Sequence, residues 1–281
     1  MKELSSVAPN LRLGAHGLWF CEKAEPISYP EKGNVECFAV EDNSFWFQHR
    51  NACIASVVRN FSPDGAIFDV GGGNGVVASA LQKAGFSVVL VEPGLQGAIN
   101  ARSRGVESVV CSTVEQIEFK TQTLPAIGLF DVLEHIEDDV SFLAQLKTLL
   151  QAGGYLYLTV PAYGFLWSQE DVYAQHFRRY TLTSLCRKLE SAGFKIAYKS
   201  YIFGFLPLPI WVFRVLPGFF SRKSGEAHLD KNEHSLPAGF AGKVIQKLLR
   251  QEKRVIRSKR SLRFGGSCLV VARVPLVVSE K

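Results

Sequence analysis

The sequence contains few cysteines, and their spacing shows no functional pattern. Six cysteines are scattered through 281 residues, without a C-x-x-C motif or zinc-type spacing. A chain of this length, in which 47% of the residues are hydrophobic, can bury a substantial core without disulfide bonds. We therefore expect a globular protein with reduced, mostly structural thiols.

The sequence also lacks an export signal and an uninterrupted apolar helix. The N-terminus, MKELSSVAPN, has no charged region followed by an apolar stretch, so we expect a cytoplasmic protein. Residues 201–220 contain a single charge, Arg214, but three prolines interrupt them. Because proline breaks helices, this segment is a poor candidate for a transmembrane helix.

Basic charge is confined to one segment. The net charge is +6, but residues 243–263 hold nine Lys or Arg against the single acid Glu252 and carry +8, so the rest of the chain sums to −2. This distribution argues against a nucleic-acid footprint spread over the molecule. Residues 241–258 predict a basic amphipathic helix. Residues 201–260 could therefore contact a membrane surface or fold as a lid on the domain, and both interpretations stay open.

Short apolar segments alternate with amphipathic ones from residue 65 onward. This alternation predicts an α/β fold with a doubly wound, mostly parallel sheet of seven strands. Ligands of such sheets bind at the carboxyl ends of the strands. The predicted strands are 66–70, 87–92, 107–111, 125–130, 155–161, 194–203 and 265–274, and the predicted helices between them are 74–85, 95–103, 138–151 and 181–193.

The chain divides into four predicted parts. Residues 1–60 are expected to form an N-terminal lid or substrate segment, and residues 61–202 the ligand-binding core. An apolar and basic helical insertion follows at 203–262, and residues 263–281 hold the last strand and a tail.

A glycine loop and an acid mark a cofactor site. The stretch FDVGGGNG lies where the first predicted strand turns into the first helix. Its glycines let the backbone approach a ligand, and the helix N-terminus offers free N–H groups to a negative group. The dinucleotide pattern G-x-G-x-x-G is not met, because Val76 stands three residues after Gly73. Glu92, at the end of the second strand, is placed to accept hydrogen bonds from both hydroxyls of a ribose.

FDVGGGNG, LVEPG, FDVLEHIEDD and LLQAGGYLYLTVP occur in the order and spacing found in class I S-adenosylmethionine-dependent methyltransferases. The chain resembles this family over residues 65–200, which implies the Rossmann-like methyltransferase fold and S-adenosylmethionine as cofactor. The resemblance places the glycine loop at the methionine half of the cofactor, Glu92 at the ribose, and the residues after the third strand near the adenine. The cofactor-binding residues that it implies are Asp69, Gly71, Gly72, Gly73, Gly75, Glu92, Pro93, Ser112, Thr113 and Asp131.

The flanking segments resemble a bacterial subgroup linked to glycan or secondary-metabolite modification. These segments are 41–51, 166–181 and 262–274, and they imply a small-molecule or glycan-like acceptor. We do not expect a nucleic-acid acceptor, because the fourth strand ends in Phe130-Asp131 instead of the Asn-Pro-Pro-Tyr type signature for base amines. The aromatic residues near position 45 are also too few and too clustered for a nucleic-acid platform.

Two histidines follow predicted strands and are candidate catalytic residues. A sulfonium methyl group is a strong electrophile, so the enzyme must mainly align a nucleophile and exclude water. A hydroxyl acceptor also needs a base, and histidine is the usual one. We predict His176 as the base and His135 as a second catalytic residue, although either histidine could instead make only a structural hydrogen bond.

Aromatic and basic residues in two segments are expected to contact the acceptor. Arg178 and Arg179 could clamp an anionic acceptor, or form surface ion pairs. Residues 45–50 could form a wall of the substrate site, or only pack on the core. The predicted substrate residues are Phe45, Trp46, Arg50, Tyr163, Trp167, Arg178, Arg179 and Tyr180.

Two further interpretations stay open. Ubiquinone-type and small-RNA O-methyltransferases carry Glu-x-x-Glu-His at the fourth strand, which binds a divalent cation that lowers the pKa of the substrate hydroxyl. This chain reads Asp131-x-x-Glu134-His135, and His176 could add a ligand for magnesium, manganese or iron. The sequence LEHI also occurs in relatives that need no metal, and our main prediction has no metal site. In that case Asp138 and Asp139 serve only to start the next helix. The last alternative is a non-catalytic S-adenosylmethionine-binding partner protein.

Overall fold

The computed structural model describes residues 2–21, 38, 41–207 and 239–276. Within them, nine strands form one sheet in the order β1-β2-β5-β4-β3-β6-β7-β9-β8. The strands are β1 (Leu11–Leu13), β2 (Trp19–Cys21), β3 (Ile67–Val70), β4 (Val88–Val91), β5 (Ser108–Cys111), β6 (Leu124–Phe130), β7 (Leu150–Pro161), β8 (Lys195–Ile202) and β9 (Ser267–Arg273). The strands from β2 to β7 pair in parallel, whereas β1 pairs antiparallel with β2, and β9 with both β7 and β8.

The predicted α/β fold with a mostly parallel sheet is confirmed, but the predicted count of seven strands is wrong. The two additional strands, β1 and β2, extend the sheet beyond β5. Each is three residues long. An alternating apolar pattern cannot be recognised over so few positions, because it needs at least four residues. The N-terminal segment therefore contributes to the sheet itself.

Helices cover both faces of the sheet. They are α1 (Lys2–Val7), α2 (Phe45–Asn60), α3 (Val76–Lys83), α4 (Leu95–Ser103), α5 (Asp139–Leu149), α6 (Gln169–Tyr173), α7 (Leu182–Ser191) and α8 (Phe240–Arg257). Residues of α1, α5 and α7 belong to the core on one face, and residues of α2, α3, α4 and α8 to the core on the other. All residues of β3 and β4 are buried, as expected for parallel strands covered on two sides.

Helix α5 begins at the two acids predicted to start it, Asp138 and Asp139. The Asp138 carboxylate accepts a hydrogen bond from Ser141 N (3.1 Å) and caps the helix. Asp139 lies inside the protein instead, where its carboxylate binds Lys188 Nζ (2.7 Å) and Arg178 Nη1 (2.8 Å). The two neighbouring acids therefore have separate structural roles.

No helix among the described residues is long and apolar enough to cross a membrane. Residues 208–220 of the apolar segment lie outside the described residues, as do 221–238 and 277–281. The predicted division of the chain into four parts stays a prediction.

One buried acid fastens α8 to the sheet and to α2. Glu252 Oε1 accepts a hydrogen bond from Phe203 N (2.6 Å) and lies 2.7 Å from His49 Nε2, while Oε2 accepts from Gly204 N (2.9 Å). Phe203 and Gly204 directly follow β8, and His49 belongs to α2. The only acid of the basic helix thus points inward and satisfies two backbone amides.

We expect Glu252→Ala to lower the free energy of unfolding by about 2 kcal/mol or more, because it leaves buried N–H groups without an acceptor. Urea unfolding of the full chain measures this loss. Glu190→Ala, at an exposed position of α7, is the control and should change the free energy of unfolding by less than about 0.5 kcal/mol. Equal values for the two variants would contradict this role of Glu252.

Candidate active site

The carboxyl ends of the central strands meet at one edge of the sheet. Neighbouring strands β4, β3, β6 and β7 run in parallel. The loops that follow them therefore lie side by side. These loops contain the predicted glycines, Glu92, Asp131 and the histidines.

The glycine loop after β3 has a left-handed backbone at three positions. Gly71, Gly73 and Gly75 have φ of 71°, 52° and 74°. A Cβ at Gly71 would lie 2.8 Å from Val132 Cγ2, and a Cβ at Gly75 would lie 2.7 Å from Ala101 Cβ, so internal packing requires both glycines. A Cβ at Gly73 would meet no described heavy atom within 4 Å. At Gly73 the loop therefore borders space that no described heavy atom fills.

The Glu92 carboxylate closes this loop from the β4 side. Its Oε2 accepts a hydrogen bond from Gly73 N and its Oε1 from Gly94 N, both at 2.8 Å. Burial raises the pKa of Glu92, and these two hydrogen bonds oppose the rise. Each carboxylate oxygen can accept a second hydrogen bond. Glu92 can therefore hold the loop and still accept from two ligand hydroxyls.

Asp69 is a fully buried acid without a hydrogen-bond partner for either carboxylate oxygen in the described part of the chain. Burial, together with the charge of Glu92, raises its pKa to about 7, although the charge of Arg50 and the backbone amide of Ala78 act in the opposite direction. A Cβ at Gly72 would lie 2.8 Å from Asp69 Oδ2, so Gly72 is needed beside this carboxylate. The Ala78 backbone amide is near this carboxylate, but neither oxygen makes a hydrogen bond of good geometry with a described residue, so acceptor capacity remains for a ligand.

Arg50 pairs with Asp131, and its role as a substrate residue stays a prediction. Its Nη1 binds Asp131 Oδ2, and Asp131 Oδ1 accepts from Thr159 Oγ1 (3.0 Å). Asp131 has φ of 58° and directly follows β6. Helix α2 thus brings a buried cation to the edge of the sheet, where it balances acids.

Glu134, His135 and His176 come together beside Asp131. One ligand atom of each lies within 4.8 Å of the others, and the two imidazole centroids are 4.7 Å apart. Glu134 Oε2 is buried without a partner, and burial together with Asp131 raises the pKa of Glu134 well above its ordinary value. Burial and the neighbouring His176 lower the pKa of His135 to about 4. Asp131, the remaining predicted ligand, lies outside this group.

Asp171 orients His176, a relation that the sequence analysis missed. Asp171 Oδ1 lies 2.8 Å from His176 Nδ1, and Arg179 binds both carboxylate oxygens through Nε (2.7 Å) and Nη2 (2.9 Å). Burial raises the pKa of Asp171, but hydrogen bonds from His176 and Arg179 outweigh it and lower the pKa to about 2. An ionised carboxylate only accepts hydrogen bonds, so Nδ1 carries the proton and Nε2 is left as the basic nitrogen. The available signal was an acid five residues before the histidine.

The residues of the predicted clamp for an anionic acceptor form internal contacts in the structure, and their contact with an acceptor stays a prediction. Arg179 forms an ion pair with Asp171, and Arg178 donates to Asp139 Oδ2 (2.8 Å) and Glu137 O (2.7 Å). Tyr180 is 1% exposed, and its hydroxyl donates to Asp139 Oδ2 (2.8 Å). All three side chains therefore stabilise the loop after β7, in agreement with the alternative of ion pairing.

The predicted aromatic wall separates into two places. Phe45 and Trp46 lie in the first turn of α2. Trp46 stacks on Phe203 with a centroid distance of 3.8 Å, and Phe45 lines a groove between α2 and α8. Tyr163, two residues after the end of β7, stacks with Phe165 (5.1 Å) and Tyr201 (5.0 Å). Tyr163 is thus the centre of an aromatic cluster at the active edge.

Of the other predicted residues, Trp167 follows the 3₁₀ turn Gly164–Leu166 and is half-buried, as are Pro93 and Thr113. Ser112 is buried, and its hydroxyl contacts Cys21 Sγ and Gln116 Oε1, both at 3.1 Å. The hydroxyl of Ser112 is therefore engaged by internal contacts to β2 and to Gln116.

Comparison with known proteins identifies similar sequences. A family model described as a methyltransferase domain matches residues 45–199. The ubiquinone biosynthesis O-methyltransferase of Colwellia psychrerythraea is 29% identical over 107 residues, which are 36% of this chain and 44% of that protein. The same-named protein of Parvibaculum lavamentivorans is 23% identical over 158 residues, which are 54% of this chain and 53% of that protein. The chain spans about half the length of these curated relatives.

Solved structures share the fold. Haemonchus contortus phosphoethanolamine N-methyltransferase 2, solved in complex with S-adenosyl-L-methionine, superposes with a TM-score of 0.54 at 17% identity. The match covers 88% of this chain and 58% of that chain. At this identity the similarity concerns the arrangement of strands and helices only.

The raised pKa of Asp69 predicts a pH dependence of stability. A folded-state pKa near 7, above the ordinary 3.8, stabilises the protonated folded protein, and this contribution is lost as the pH rises from about 4 to about 7. Relative to Asp69→Asn, the wild type should lose about 2 to 4 kcal/mol of unfolding free energy over that range. Urea unfolding without added ligand at each pH measures this loss. The exposed Asp64→Asn should follow the wild type, and parallel curves for Asp69→Asn and wild type would refute the assignment.

Proposed function

The chain belongs to the class I S-adenosylmethionine-dependent methyltransferases, and we propose that it transfers the methyl group to an oxygen atom of a small-molecule or glycan-like acceptor. The matched region, residues 45–199, includes the loops after β3, β4, β6 and β7. The observation that carries the oxygen assignment is the Asp171–His176 pair, because transfer to a hydroxyl requires removal of a proton.

The residues at the strand ends fit the cofactor. Glu92 retains acceptor capacity for the ribose hydroxyls, and the bare backbone of Gly73 allows close approach. The two unpartnered oxygens of Asp69 suit the ammonium group of the methionine half, since buried acceptors are normally hydrogen-bonded. When bound, S-adenosylmethionine supplies a methyl group on a positively charged sulfur, which is already an electrophile.

His176 acts as the base in this proposal. Its Nε2 takes the proton of the acceptor hydroxyl. With the cofactor bound, the methyl group would leave the sulfur for that oxygen, and the cofactor would depart as the neutral thioether. The ionised Asp171 holds the imidazole in the tautomer that this step needs and stabilises the imidazolium that results. His135 stays neutral near pH 7, because its pKa is about 4, and its ring packs edge-on against His176. The exposed Phe165 beside Tyr163 provides an apolar surface for the acceptor.

We expect His176→Gln to lower the rate of methyl transfer to phenolic and catecholic acceptors about 100-fold or more, while the affinity for S-adenosylmethionine changes little. Asp171→Asn should give a smaller loss, since it removes the orienting charge but keeps the base. Labelled methyl transfer and calorimetric cofactor binding measure the two effects. The exposed Gln169→Ala on α6 is the matched control. Unchanged turnover in His176→Gln would exclude the proposed base.

A second candidate is metal-assisted O-methylation of a catechol or quinone-type acceptor. The convergence of Glu134, His135 and His176 within 4.8 Å favours it, together with the unpartnered buried Glu134 Oε2. Carboxylate and imidazole ligands suit magnesium, manganese or iron, and such an ion would lower the pKa of the acceptor hydroxyl. The relatives named ubiquinone biosynthesis O-methyltransferases are compatible with either chemistry.

Removal of divalent metal separates the two candidates. For the histidine-base mechanism we expect methyl transfer to survive dialysis against EDTA, because no step needs a cation. The readout is the initial rate before dialysis, after it, and after addition of Mg²⁺ or Mn²⁺. A rate that falls with chelation and returns with the cation, and that is absent in Glu134→Gln, would replace the first candidate with the second.

A further inference from the structure

Helix α8 presents an outward face with two adjacent strips. Its inward side is formed by Gly242, Leu249, Glu252 and Ile256, all buried against the domain. With about 100° between successive residues of a helix, the exposed side separates into one basic and one apolar strip. The inward side is held by the hydrogen bonds of Glu252, so this orientation of the helix is fixed.

The basic strip carries unopposed positive charge. It comprises five exposed residues with helical spacing, namely Lys243, Lys247, Arg250, Arg254 and Arg257. None of them forms an ion pair with another described residue. The only acid of the helix, Glu252, points inward. The strip therefore attracts anions along its whole length.

The apolar strip lies directly beside it. Phe240, Val244 and Leu248 recur every fourth residue and are 82%, 40% and 39% exposed. Large side chains at such spacing normally face a core, but here the opposite side of the helix already does so. An exposed apolar strip of this kind indicates an interaction surface.

We propose that this face of α8 docks on the surface of an anionic lipid bilayer. Phe240, Val244 and Leu248 enter the headgroup region, and the basic strip binds lipid phosphates. The helix lies parallel to the membrane plane. A nucleic acid fits less well, because the apolar strip would stay against a polar backbone and Phe240 is its only aromatic residue available for stacking.

The docking face is connected to the candidate active site through one helix. Glu252 joins α8 to His49 of α2, and the next residue, Arg50, pairs with Asp131 at the strand ends. A docked α8 would hold the active site near the lipid surface, where an apolar acceptor is concentrated. The proposal does not depend on which acceptor is methylated.

Sedimentation of the full chain with vesicles tests the proposal. We expect binding to vesicles made of equal parts phosphatidylcholine and phosphatidylglycerol, weak binding to pure phosphatidylcholine, and a decrease of binding at high salt. The double variant Lys243→Glu/Lys247→Glu should lower the vesicle affinity by at least about tenfold. Phe240→Ser should lower it about fivefold.

A charge-matched control is Lys120→Glu/Arg187→Glu, at two exposed positions outside α8, which should bind as the wild type does. Thermal unfolding checks that all variants are folded. The proposal is overturned if the wild type does not sediment with the mixed vesicles, or if the two double variants lose affinity equally. It is also overturned if RNA binds through Lys243 and Lys247 more tightly than the mixed vesicles do.

Discussion

A buried carboxylate is costly unless donors surround it, and the arrangement of the active edge follows from how this cost is met. Two backbone amides donate hydrogen bonds to the Glu92 carboxylate, and His176 and Arg179 donate to that of Asp171. Asp69 and Glu134 have raised pKa values and keep buried oxygens without described partners. These donors hold the first two acids in place, and Glu92 keeps acceptor capacity on both oxygens. The other two mark where a ligand is expected, the cofactor at Asp69 and the acceptor region or a cation at Glu134.

The same imidazole serves both functional candidates. Asp171 fixes His176 Nδ1, and the ring packs on His135 beside Glu134. In both candidates the second nitrogen of His176 is proposed to act, either by taking a proton or by binding a cation. The contact that orients this ring lies in the loop after β7 and is reinforced by Arg179. We propose that this contact, and not the cofactor loops shared by the family, governs the chemistry at the acceptor.

Periodic patterns predicted most of the fold, and the cofactor loops followed from motif spacing. The helix predicted at 95–103 coincides with α4, which lies between Gly94 and Gly105, so its ends carry local signals. Strands β1 and β2 were missed because three residues carry no period. Arg50, Arg178 and Arg179 were assigned to the acceptor because sequence shows a charge but not its partner. Those partners, Asp131, Asp139 and Asp171, are supplied by tertiary structure.

The central claim is that ionised Asp171 leaves His176 with a proton on Nδ1 and a free Nε2. Nitrogen NMR of the ¹⁵N-histidine-labelled protein near neutral pH tests it most directly, with His176→Gln used to assign the resonance. For the uncharged imidazole the account predicts a proton on Nδ1, and loss of this preference in Asp171→Asn. An uncharged imidazole with its proton on Nε2 would contradict the account, because that nitrogen could not accept a proton from the acceptor.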